Sequence, residues 1–75
     1  MTPDDLIDRF LTVLMREIGG SRAHWRRVLG PVKCYSVETH AHCNWSITPT
    51  GSPGEIAGVE RIADRLRLEH PIVVA

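Results

Sequence analysis

The chain has 75 residues, enough for one thin-cored domain, since a domain of this size buries only ~60% of the surface its unfolded chain exposes. Apolar residues make up 43% of it, too many for a disordered chain, yet their longest runs are three or four residues, too short for a membrane-spanning helix. Nine Lys and Arg balance nine Asp and Glu, so no overall field draws the chain toward nucleic acid or a membrane surface.

The N-terminal residues Met1-Thr2-Pro3-Asp4-Asp5 are acidic where a secretory leader would be basic, which makes the cytoplasm the expected compartment. They also start a helix. Thr2 caps, Pro3 suits the first helical position, and Asp4 and Asp5 favour the positive end of the dipole. Thr2 and Asp5 have the spacing of a capping box. Leu6, Phe10, Val13, Leu14 and Ile18 share one face; Ile7, Leu11 and Met15 widen it beyond the needs of one small core. Such a helix is either sandwiched between layers or carries a partner interface.

Gly19-Gly20 ends or kinks that helix. Ser21 can cap a short second helix through Leu29, stopped by Gly30-Pro31, although a bent continuation of the first helix fits equally well. Val32–Glu38 and Cys43–Thr48 read as strands, joined by Thr39-His40-Ala41-His42. In the second strand Cys43, Trp45 and Ile47 alternate with Asn44, Ser46 and Thr48. Ser52, Pro53 and Glu55 then form a Ser-x-x-Glu capping box for a last helix. Ile56, Val59, Ile62, Ala63 and Leu66 make its core stripe, and Arg61, Asp64, Arg65 and Leu68 lie opposite. His70-Pro71 ends it, and Ile72 to Ala75 either adds a strand or frays.

The expected architecture is one α+β domain over residues 1–75, ordered helix, short helix, β-hairpin, helix, with a possible short C-terminal strand. A two-stranded hairpin is marginal in water, so helices must cover one face of it. The open face and edge lead us to expect a homodimer or a protein partner.

Three constellations could carry function. Cys34, His40, His42 and Cys43 are zinc-ligand types, and a pairing of the two strands would bring the cysteines close. Their spacing matches no structural zinc pattern, and a hairpin tip with two solvated histidines and two small buried thiols explains the same residues. Cys43 beside His42 has the residue types of a thiolate–imidazolium pair, but neighbours on a strand point to opposite faces. Gly51-Ser52-Pro53-Gly54 leads into a helix N-terminus that could hold an anion, but it lacks the lysine of a phosphate-binding loop. A non-catalytic protein without a cofactor is therefore expected.

The third constellation is basic. Arginines outnumber lysines eight to one, a bias that GC-rich coding also produces. Arg22, Arg26 and Arg27 surround Trp25, and Arg61 and Arg65 form a second pair four residues apart. Arginine interleaved with an aromatic grips phosphate and stacks on bases, and it equally dominates protein-binding hot spots. A solvated arginine face with the tryptophan turned inward is the plainer reading of the same residues.

The stretch from His42-Cys43-Asn44-Trp45 through Thr50-Gly51-Ser52 and Glu55-Ile56 to Glu69-His70-Pro71 resembles short uncharacterised proteins of GC-rich α-proteobacteria, carried on phage-like or conjugative elements. The resemblance covers about 30 of the 75 residues. It implies no activity and assigns no functional residue. Small mobile-element proteins include anti-CRISPR inhibitors, which act by binding a host complex, and that class fits an Arg- and Trp-bearing domain by genre. The expected function is thus a binding protein of this kind, ahead of a small nucleic-acid-associated regulator and a zinc-stabilised module.

Overall fold

Each helix begins where its capping residues place it. In the computed structural model, which describes residues 1–74, Thr2 accepts from the Asp5 amide at the head of α1 (Pro3–Glu17), and Asp5 returns a bond to the Thr2 amide. Ser21 caps α2 (Arg22–Leu29) by accepting from the His24 amide. Ser52 and Glu55 close the reciprocal box of α3 (Pro53–Glu69). Gly19 and Gly20, with φ of 96° and 94°, break the chain between α1 and α2, so α2 is a separate helix.

The two strands are shorter than expected. β1 (Val32–Cys34) and β2 (Trp45–Ile47) pair antiparallel, with Val32 opposite Ile47, Lys33 opposite Ser46 and Cys34 opposite Trp45. The helix–helix–hairpin–helix order and the α+β class are as expected. The turn of the hairpin is not Thr39–His42. A longer loop leaves β1 after Cys34 and re-enters at Trp45, with its own tight turn where the Thr39 and His40 amides donate to the Ser36 carbonyl.

The core is built on α1. Leu6, Phe10, Leu11 and Leu14 are essentially inaccessible, as are Leu29 of α2 and Val59, Ile62, Ala63 and Leu66 of α3. Full burial of each large side chain contributes ~1.5–3 kcal/mol. The wide apolar face of α1 has a simple cause: the helix is sandwiched, with α3 on one side and α2 on another. Leu11 is buried there, and Ile7 and Met15 are half-buried against the core. The core stripe of α3 holds too, except that Ile56 is only half-buried and Gly58 joins it.

The strand alternation fails at one residue. Asn44, expected on the outer face, is 4% exposed and the one buried polar residue among those described. Its side-chain oxygen accepts from the Val73 amide at 2.8 Å, and its Nδ2 donates to the carbonyls of Val73 at 2.8 Å and Tyr35 at 3.1 Å. Its main-chain amide donates to the Pro71 carbonyl at 3.0 Å. The segment after α3 is neither a third strand nor frayed through Val74. It lies along this amide, with Val73 buried and the Trp45 indole donating to the His70 carbonyl at 2.9 Å. Trp45 also meets Phe10 edge to face at 5.6 Å, so β2 is fastened to α1 and to the chain end together. Ala75 lies outside the described residues.

Replacing Asn44 by Ala should cost about 3 kcal/mol, because it strands the Val73 amide and two carbonyls in the interior. Urea denaturation measures the loss. Hydrogen exchange should show Val73 unprotected in the variant, and unchanged protection there would refute the role given to Asn44.

Candidate functional site

Arginines on helix surfaces and an aromatic beside them were the expected binding set, and the structure separates the two. Trp25 is turned inward at 4% exposure, its indole donating to the Gly19 carbonyl at 2.6 Å. The lack of a side chain at Gly20 leaves room for this ring, since a Cβ there would sit 3.2 Å from Nε1. Trp25 is therefore part of the core and not a stacking platform. Trp45 is buried as well, with the Arg67 guanidinium 5.1 Å above its ring.

The five expected arginines fall on two surfaces. Arg22 and Arg26 line a groove of about 550 Å3 between α1 and α2. Its floor is Ile7, Leu11 and Ala23, and its α1 wall carries Asp4 and Asp8. Arg22 pairs with Asp8 across the groove, whereas Arg26 donates to the Gly30 carbonyl at 2.9 Å. Arg27 is exposed beside them on α2 but does not line the groove.

Arg61 and Arg65 belong to a second surface, where the end of α1 meets α3. Arg65 pairs with Glu17. This hydrogen bond, with the charges of Arg65, Arg61 and Arg16 added, holds the Glu17 carboxyl below the usual glutamate range. Of the three, Arg65 is the one in contact with the carboxylate. Next to them Ile18, 47% exposed, forms a notch of about 270 Å3 with Gly54, Ala57, Gly58 and Arg61. The notch exists because residue 58 is glycine: the Ile18 Cδ1 atom lies 2.8 Å from where a Cβ would stand. Arg16 and Ile18 were not among the expected binding residues. Ile18, expected on the core face, is 47% exposed although its backbone is still helical and its N–H still donates to the Leu14 carbonyl.

The cysteine–histidine set does not converge. Among the described residues no group of three or more His, Cys, Asp or Glu side chains is placed to hold a metal ion. Cys34 stands exposed on β1 opposite Trp45, not opposite Cys43. Cys43 is half-buried against the core, its thiol donating to the Trp45 carbonyl at 3.5 Å. His40 stacks on Tyr35 at 4.3 Å and bonds the Thr39 hydroxyl, and His42 is exposed. The two thiols were expected to be buried and close together; Cys34 is exposed, and the register sets it opposite Trp45, two residues beyond Cys43.

The N-terminus of α3 is also occupied from within. Glu55 fills it, and His24 of α2 pairs with the same carboxylate. The Ser52 backbone amide, then the Ser52 hydroxyl, then His24 lower the Glu55 pKa. The loop therefore serves as a cap and as a tie between helices, a contact spanning 31 residues that no local pattern announces.

No protein-family model, no curated protein and no solved structure matches this chain.

Because Glu55 is held below its unfolded value, its contribution is full above the ordinary glutamate range and is lost as pH falls through the folded value. The unfolding midpoint in urea should therefore drop on acidification. Glu55→Gln, which keeps the capping-box geometry without the charge, should lower stability at neutral pH and flatten the acid limb. An acid limb as steep as that of the parent would show that Glu55 does not contribute to it.

Proposed function

We propose that this chain is a non-catalytic protein-binding module that takes an acidic segment of its partner on the surface formed by Arg16, Arg61, Arg65 and Ile18. One observation carries the reading: Arg61 lines a notch with the exposed Ile18, Arg65 is paired with Glu17 close by, and Arg16 is exposed on the same end of α1. Guanidinium forks pair with carboxylates in two-pronged fashion, and an apolar anchor seated next to them is the usual make-up of a binding hot spot. The excess positive charge is local, since the chain as a whole is neutral.

The buried tryptophans favour a protein over a nucleic acid. A sequence-tolerant grip on single strands needs exposed rings beside the arginines, and Trp25 and Trp45 both lie in the core. The resemblance to mobile-element proteins suggests a bacterial defence or regulatory complex as the partner, in the manner of anti-CRISPR inhibitors, and that suggestion rests on the resemblance alone.

The test is a pull-down from bacterial lysate with the parent chain and with an Arg16→Glu/Arg61→Glu variant, both nuclease-treated. Neither residue forms an ion pair among the described residues, so the variant should stay folded, with a modestly lower melting temperature because two carboxylates then stand near Glu17. A protein held by the parent and weakened at least ~10-fold in the variant is the expected result. Capture that survives the variant unchanged, or material lost on nuclease treatment, would overturn the proposal, the latter in favour of the nucleic-acid regulator.

A further inference from the structure

The groove between α1 and α2 has walls of opposite charge. Its α2 wall carries Arg22 and Arg26 and no acidic residue, while its α1 wall carries Asp4 and Asp8 and no basic one. The groove lies between these segments, with an apolar floor of Ile7, Leu11 and Ala23. Within one chain only part of this charge is matched. Asp8 pairs with Arg22, but Asp4 has no ion pair among the described residues, and Arg26 meets a carbonyl and no carboxylate.

We infer that this groove is the surface on which two copies of the chain associate. A surface that is acidic along one side and basic along the other is complementary to itself. A two-fold axis running along the groove swaps the walls, so each acidic wall faces the partner's basic wall. The half-exposed Ile7 of each copy then meets an apolar floor, and Asp4 gains a guanidinium opposite it. A partner of one charge sign would find one wall attractive and the other repulsive, whereas a second copy finds both attractive. The chain's zero net charge adds no long-range repulsion between copies. This surface is separate from the Arg16–Arg61 patch, so it stands or falls independently of the proposed function.

Sedimentation equilibrium over a range of concentrations, at low and high salt, tests it. The parent chain should form a dimer that salt weakens. Asp4→Arg and Arg26→Asp, each alone, should raise the dissociation constant about tenfold or more, since each places like charges opposite one another at two symmetric positions. The double variant carrying both changes should recover the dimer, which separates a lost contact from a damaged helix; circular dichroism of each variant checks the fold. A parent chain that stays monomeric at the highest concentration would overturn the inference. So would a dimer indifferent to both reversals, or a double variant no tighter than the single ones.

Discussion

The side chain of Asn44 has one acceptor and two donors in the arrangement of a peptide group, and here it does a peptide group's work. It bonds both the amide and the carbonyl of Val73, as a neighbouring strand would, while its second hydrogen reaches across the hairpin to Tyr35. Much of the rest depends on this. Two paired strands of three residues cannot persist alone in water. The buried amide ties them to the segment following α3, and the adjacent Trp45 ties them to Phe10 of α1 and to the His70 carbonyl. A buried amide left unsatisfied would cost ~1–3 kcal/mol for each lost partner, so the arrangement is stable only when complete. It is complete: among the described residues no buried side-chain nitrogen or oxygen lacks a partner.

With the hairpin fixed, α1 becomes the axis of the molecule, and the two surfaces follow from its position between α2 and α3. On the α2 side the aspartates of its first turns face an all-basic helix and leave a groove with charged walls. On the α3 side its end brings Glu17 to Arg65 and Ile18 to Arg61. In a domain this small much of the surface stays outside the core, and here charge is arranged unevenly over it. Both surfaces combine arginine with accessible aliphatic carbon, and in both the aromatic rings stay in the core.

Much of this was legible in the residues. The helix starts could be read because capping is local: Thr2 with Asp5 and Ser52 with Glu55 satisfy each other's backbone within three positions. The breaks at Gly19-Gly20 and Gly30-Pro31 and the core stripe of α3 follow likewise from backbone freedom and helical period. The arginine pairs at four-residue spacing were visible for the same reason, and so Arg22 with Arg26 and Arg61 with Arg65 each ended on a common surface. The side on which Trp25 falls was not legible, since helix period alone leaves a residue between two packed neighbours free to be core or rim.

The sequence by itself determined the class, the order of elements, the caps, the breaks and the neutral overall charge, all of which depend on residues a few positions apart. Only the tertiary structure decided that Asn44 points inward, that the cysteines and histidines fail to converge, and that Glu55 meets His24. It also decided that Glu17 meets Arg65 near the other end of the chain. Each of these is set by contacts between distant residues, where the energy of burying or pairing a side chain outweighs the alternation and propensity that a local reading can use.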